Sequence, residues 1–158
     1  MDWQAKEQLI KSKAKEVRTA IQQAALDSPG AEDTFRTKVS YILNDFCKSA
    51  DIGFETKENH TLASGKKPDT LFSRLVIEYK SPNILQLSPN ATQNQKALKQ
   101  TQDYMEKVAK EEKRDIQKMA GVILDGHYVI FVKRLEKGWQ EDGPHEVNDY
   151  SVERFLTG

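Results

Sequence analysis

Apolar residues recur at intervals of three and four in several parts of the chain, and this spacing predicts amphipathic helices. The expected helices cover residues 5–25, 28–50, 92–114 and, as a short last element, 151–156. Asp27-Ser28-Pro29-Gly30 separates the first two helices. Ser28 is the expected N-cap of the second helix and Pro29 its expected first-turn residue. The chain is therefore expected to begin with two helices joined by a short turn.

Between the second and third helices the pattern changes to that of β-strands. Five extended segments are expected, over residues 54–62, 69–72, 75–80, 119–124 and 128–134. The aliphatic run Leu75-Val76-Ile77 is typical of a strand buried on both faces, and Asp125-Gly126 is favoured in tight hairpin turns. After Gly138 the chain is acidic and rich in turn-forming residues. This order of elements predicts an α/β fold in which a mixed sheet has helices on both faces.

The chain length and its charge balance limit the class of protein. With 158 residues we expect one domain, over 1–158, with a core over about 28–134. An N-terminal helix over 1–26 and an acidic segment over 138–158 flank that core. The 24 basic and 24 acidic residues cancel, so any nucleic-acid binding must come from local basic patches rather than from a global positive field.

Targeting and redox features point to the cell interior. The apolar run Tyr128–Val132 is far shorter than the roughly 20 residues that a transmembrane span needs. The N-terminus has neither the basic start nor the apolar core of a secretory signal. The single cysteine, Cys47, excludes an internal disulfide and a cysteine-rich zinc site. We therefore expect a soluble, cytoplasmic protein with no membrane partner.

The candidate chemistry lies on the segment over residues 75–80. Glu78 and Lys80 are two residues apart, so both side chains project from the same face of the strand. If the segment that carries Asp69 pairs with this strand as a hairpin, its carboxylate can approach that of Glu78. Two converging carboxylates suit a hard cation such as Mg²⁺, and a neighbouring lysine can neutralise a phosphate. The alternative is an ion pair on a solvated sheet face, although placing charges in such an apolar strand is costly.

These residues carry a family resemblance. Pro68-Asp69, eight further residues and Glu78-Tyr79-Lys80 together resemble the signature of the PD-(D/E)xK nuclease superfamily. The sequences GKKPD and IEYKSP, and the expected hairpin around Asp125-Gly126, resemble nuclease domains attached to adenine methyltransferases or to type I restriction subunits. The resemblance covers about residues 32–134.

Two residues on the expected helices extend the resemblance. Glu32 is similar to an additional acidic residue that many members carry before the Asp, and its alternative role is a favourable charge near a helix N-terminus. Gln100-x-x-x-Tyr104 resembles an element of the recombination-nuclease branch. Its alternative is an amphipathic helix whose tyrosine packs in the core.

The resemblance implies a restriction-endonuclease-like fold, with a mixed central sheet flanked by helices, and Mg²⁺-dependent hydrolysis of DNA, Mn²⁺ being a substitute. It implies that Asp69, Glu78 and the backbone carbonyl of Tyr79 bind the metal. Lys80 would orient or activate the attacking water, and Glu32 would act through a water or a second metal. Such a metal lowers the pKa of its bound water and screens the phosphate from the nucleophile.

Substrate contacts and partners follow from the same resemblance. Lys67 is expected to contact a phosphate, and Gln100 to position the lysine or the phosphate. Because no sequence-recognition module is visible and the chain ends at Thr157-Gly158, we expect the N-terminal nuclease domain of a longer restriction or defence protein. A methyltransferase, specificity or motor domain would then act with it. Homodimerisation stays open, because two DNA strands need two cuts.

Three alternatives also stay open. The chain could be a non-catalytic DNA- or protein-binding module on the same fold, or an RNA-directed or repair nuclease. It could also be an α/β interaction domain in which the motif is coincidental. In that last case Glu78→Ala would be neutral or stabilising, because it relieves repulsion from Asp69.

Overall fold

The computed structural model describes residues 3–49, 56–58, 70–72 and 75–157. Its elements, in chain order, are α1 (Trp3–Leu26), α2 (Glu32–Ser49), β1 (Thr56–Glu58), β2 (Thr70–Phe72), β3 (Leu75–Tyr79), α3 (Thr92–Glu111), a short 3₁₀ helix (Ile116–Lys118), β4 (Ala120–Leu124), β5 (Tyr128–Arg134), β6 (Trp139–Glu146) and α4 (Asp149–Thr157). Within these ranges, no helix has the length and apolar character needed to cross a membrane.

The strands form a mixed sheet in the order β1-β2-β3-β4-β5-β6. Neighbouring strands are antiparallel, except that β3 and β4 are parallel and α3 connects them. A crossover helix is needed there because a tight turn cannot join adjacent parallel strands. In the β2–β3 pair, Thr70 lies opposite Ile77 and Phe72 opposite Leu75. The antiparallel pairing on which an approach of Asp69 to Glu78 depends is therefore present between β2 and β3.

Helices pack on both faces of the sheet, which confirms the expected α/β architecture. On one face, the helices α1, α2 and α4 share a core with Ile77 and Tyr79 of β3. On the other face, α3 shares a core with Val76 of the same strand. Because successive side chains of a strand point to opposite faces, Glu78 and Lys80 project toward the α3 layer.

The buried faces of the helices agree with the prediction from the sequence, but the start of α2 does not. In α1, α2 and α3, apolar residues that recur at the helical spacing are buried, and they include Ile21, Val39 and Met105. Helix α2 begins at Glu32 rather than after a Ser28 cap. Gly30 has a φ of 65°, outside the right-handed helical region, so the chain makes a turn before the helix starts. The predicted Ser28 cap is wrong for that reason.

The largest difference from the sequence prediction follows Gly138. Where we expected only an acidic, turn-rich segment, the chain forms β6, which pairs antiparallel with β5. This strand contains Gly143 and Pro144, residues that are uncommon inside strands but tolerated at a sheet edge. It lies at the end of the strand order, so only one side must pair with a neighbour. The expected last helix is present as α4.

Gly121 on β4 determines how closely α3 approaches the sheet. A β-carbon at this position would lie 2.8 Å from Thr101 Cγ2 and 2.8 Å from Met105 Sδ, both on α3. Thr101 cannot turn away without loss, because its hydroxyl donates a hydrogen bond to the Ala97 carbonyl at 2.8 Å. The absence of a side chain at Gly121 therefore permits the close contact between helix and sheet.

We expect Gly121→Ala to push α3 outward and to lower the free energy of unfolding by about 1–3 kcal/mol, as overpacking of a filled interior does. Urea denaturation followed by circular dichroism measures this change. An unchanged transition midpoint would contradict the close-contact explanation.

Candidate functional site

Glu78 is a carboxylate in the interior of the protein. It lies on β3, between β2 and β4, and only 1% of its surface is exposed. Burying a charge is costly unless an opposite charge or hydrogen bonds compensate it. Lys80, on the same face of the chain, places its Nζ 3.2 Å from Glu78 Oε1. The shared face that the sequence predicts for these two residues is thus present in the structure.

Helix α3 holds the lysine from the other side. Lys80 Nζ donates a hydrogen bond to Gln100 Oε1 at 2.8 Å. Gln100 Nε2 in turn donates to the Tyr104 hydroxyl at 3.1 Å, one helical turn further along. The Lys80 side chain is 18% exposed, so it joins the buried carboxylate to the protein surface. A continuous series of polar contacts therefore runs from Glu78 to Tyr104.

Tyr79 points away from this series. Its hydroxyl lies 3.3 Å from Ser40 Oγ, and its ring meets that of Phe35 edge-on, with 6.1 Å between ring centres. Both partners belong to α2. The side chain of Tyr79 therefore fastens β3 to the opposite layer.

Of the remaining predicted site residues, Glu32, Asp69 and Lys67, the structure describes only Glu32. Glu32 is the first residue of α2 and is half-buried, three residues before the Phe35 that contacts Tyr79. Its helix thus belongs to the layer opposite the one that Glu78 faces. Asp69 and Lys67 lie outside the described residues. The structure therefore brings together Glu78, Lys80 and Gln100.

A magnesium ion suits part of this donor set. Mg²⁺ prefers carboxylate oxygens and completes its shell with waters and substrate phosphates, and Glu78 supplies one such carboxylate. Across the ranges that the structure describes, no group of three or more His, Cys, Asp or Glu residues could hold a metal ion. Thr70, which follows Asp69 in the sequence, pairs with Ile77, the residue before Glu78. A complete ligand set would therefore need Asp69.

Asp125 has a structural role that the sequence shows only in part. It is fully buried, and its Oδ1 accepts hydrogen bonds from the backbone N–H groups of His127 and Tyr128, at 2.9 and 2.8 Å. Its Oδ2 accepts from Leu85 N at 2.9 Å. The turn preference of aspartate accounts for the first two bonds. The third bond, from Leu85 N, ties the β4–β5 hairpin to the loop that follows Lys80. The sequence pattern did not predict this bond.

A second polar cluster lies on β6 and α4. The Arg154 guanidinium contacts Asp142 Oδ2 at 2.6 Å, and His145 Nε2 lies 2.8 Å from Asp142 Oδ1. The hydrogen bond from Arg154, with a smaller contribution from His145, holds the pKa of the Asp142 carboxyl below its ordinary value of 3.8, against the opposing effect of burial. All three side chains are more than a third exposed, so the cluster fastens α4 to the sheet only weakly.

Comparison with known proteins gives no match. No protein-family model matches the chain, and neither does any curated protein or solved structure. The family resemblance therefore rests on the residues of this chain and on their arrangement.

Proposed function

We propose that this protein is a Mg²⁺-dependent DNA nuclease with the restriction-endonuclease-like fold of the PD-(D/E)xK superfamily. The observation that carries the proposal is the buried Glu78 carboxylate, paired with Lys80 in a strand whose other side chains are apolar or aromatic. Apolar residues of similar size would often serve stability as well as such a buried ion pair does. Residues that break the local pattern in this way are typical of functional sites.

In the proposed mechanism, Asp69, Glu78 and the backbone carbonyl of Tyr79 would hold the metal. When bound, the metal supplies a water of lowered pKa and shields the phosphate charge. The antiparallel β2–β3 pairing supports this ligand set, because it joins the residue after Asp69 to the residue before Glu78. Glu32 begins a helix on the opposite face of the sheet from Glu78, where its charge suits the helix N-terminus, so this proposed ligand set does not include it.

Lys80 has the second role in the mechanism. Its ammonium group lies between a carboxylate oxygen and an amide oxygen, and these two contacts restrict the positions that the lysine can take. A cation fixed in this way can orient the attacking water and stabilise charge that develops on the phosphate, without having to reorganise first. Gln100, itself bonded to Tyr104, is the residue that positions the lysine.

The wider role is part of the same proposal. We propose that the nuclease acts in a restriction or defence protein, in which a methyltransferase, specificity or motor domain selects the DNA. Lys67 would then contact the substrate phosphate near the site.

The test is cleavage of supercoiled and linear DNA with Mg²⁺ or Mn²⁺. We expect cleavage with either metal, loss of cleavage below detection in EDTA, and full recovery when Mg²⁺ is added in excess. Cleavage that persists in EDTA would contradict the metal-dependent mechanism. Cleavage of RNA alone would identify an RNA nuclease instead.

Titration of Mn²⁺ by calorimetry resolves the case in which no DNA is cleaved. Binding that disappears in Glu78→Ala would indicate a nuclease that needs its partner domain. If the wild type neither cleaves DNA nor binds Mn²⁺, the proposed function is wrong.

A further inference from the structure

The segment from Lys80 to Gln102 is unusual in charge. Its 23 residues contain three lysines and no aspartate or glutamate, although the whole chain carries 24 acidic residues among 158. Amide and hydroxyl side chains take the remaining polar positions. In the structure, this segment forms the loop after β3 and the first half of α3. The chain next to Lys80 is therefore free of acidic side chains over a considerable length.

Part of this segment lines an open groove of about 560 Å³ along α3. We use the name acid-free surface for six of the residues that line this groove, namely Asn90, Thr92, Gln95, Lys96, Lys99 and Gln100. Gln100 also accepts the hydrogen bond from Lys80, so the surface is continuous with the candidate site. Asp103 lines the same groove and pairs with Lys99 at 3.0 Å. Because the Lys99 side chain is 74% exposed, this pair costs little to separate.

We propose that the acid-free surface binds the phosphate backbone of a DNA strand and directs it toward Lys80. Lysine ammonium groups, amides and hydroxyls are all groups that contact phosphates in protein–DNA complexes. Among the described residues that line the groove, none has an aromatic side chain on which a base could stack. The surface therefore suits the backbone rather than the bases, and it would bind DNA without regard to sequence. This inference rests on the proposed nuclease function and names the path of its substrate.

The test uses binding without catalysis. Fluorescence anisotropy of a labelled DNA duplex in EDTA compares the wild type with the double variant Lys96→Gln, Lys99→Gln. A matched control, Lys107→Gln with Lys110→Gln, removes the same charge from the half of α3 that carries acidic residues. Circular dichroism confirms that each variant is folded. We expect the Lys96 and Lys99 variant to bind about tenfold more weakly, while the control changes by less than about threefold.

Salt dependence provides a second readout. Each phosphate contact contributes about 0.9 to the slope of log affinity against log salt concentration, so loss of two contacts should reduce that slope by about 1.8. An unchanged slope and affinity, or equal losses in the two double variants, would overturn the proposed surface. Tighter binding of an RNA duplex than of DNA would overturn the proposed occupant.

Failure of the proposed surface can be distinguished from failure of the proposed nuclease activity, because binding and cleavage are measured separately. A wild type that cleaves DNA, with no effect of the Lys96 and Lys99 changes on binding, leaves the nuclease intact and removes the acid-free surface from its mechanism. A wild type that binds DNA through these lysines but neither cleaves it nor binds Mn²⁺ keeps the surface and removes the proposed nuclease activity.

Discussion

Glu78→Gln is expected to lower the rate of Mg²⁺-dependent DNA cleavage by about 1,000-fold or more. Glutamine keeps the shape of the side chain and an oxygen that can accept from Lys80, but it removes the negative charge that would hold the proposed metal. A loss of about 4 kcal/mol of transition-state stabilisation, several kcal/mol being typical of a metal site, corresponds to a change of this size. Initial rates of plasmid nicking measure it.

The matched control is Glu136→Gln, which makes the same chemical change at an exposed position between β5 and β6. We expect that variant to cleave at the wild-type rate. If Glu78→Gln also cleaved at that rate, the carboxylate would have no part in catalysis, and the motif would be coincidental. Unfolding measurements on both variants separate loss of the site from loss of the fold. Lost activity with unchanged or raised stability would be typical of a residue kept for function.

Asp125→Ala is expected to lower the free energy of unfolding by about 3 kcal/mol or more. The change removes the acceptor of three backbone N–H groups, one in a buried bond and two in partly buried bonds, and a donor that is left buried without a partner costs about 1–3 kcal/mol. The effect should also loosen the loop after β3, since Leu85 N loses its bond to the hairpin. Urea denaturation followed by circular dichroism measures the change in stability.

Asp115→Ala is the comparison for this prediction. The Asp115 carboxylate is exposed and accepts from one backbone group, Gln117 N at 3.0 Å, at the start of the 3₁₀ helix. Loss of such a cap costs about 1 kcal/mol. If Asp125→Ala were no more destabilising than Asp115→Ala, the buried carboxylate would not be the tie between hairpin and loop that its geometry indicates.

Elements with a regular apolar pattern could be predicted from the sequence. The stripes of α1 and α3 repeat with the period of a helix, and the Asp125-Gly126 turn identifies the β4–β5 hairpin. Strand β6 could not be predicted in this way, because most of its residues are polar and it includes glycine and proline. Its pairing depends on backbone groups that β5 offers at the sheet edge, and backbone groups leave no mark on the side-chain pattern.

In the candidate site, too, some features could be predicted from the sequence and others could not. The period of two in a strand predicts that Glu78 and Lys80 share a face, and the helical spacing predicts that Gln100 and Tyr104 do. The bond between Lys80 and Gln100 joins residues 20 positions apart on different elements. It depends on how α3 crosses the sheet, and that crossing depends on the space left by Gly121. No spacing along the sequence encodes such a contact.

The position of β3 within the sheet affects how readily the backbone of the candidate site opens. The strand has a bonded neighbour on each side, and the Lys80 amide continues the pairing by donating to the Leu124 carbonyl at 3.0 Å. Backbone amides in the centre of a sheet exchange their hydrogens only when large parts of a protein open together. The backbone that carries Glu78 and Lys80 therefore belongs to the last region to open. A destabilising mutation elsewhere would reduce the number of folded molecules before it altered the geometry within each one.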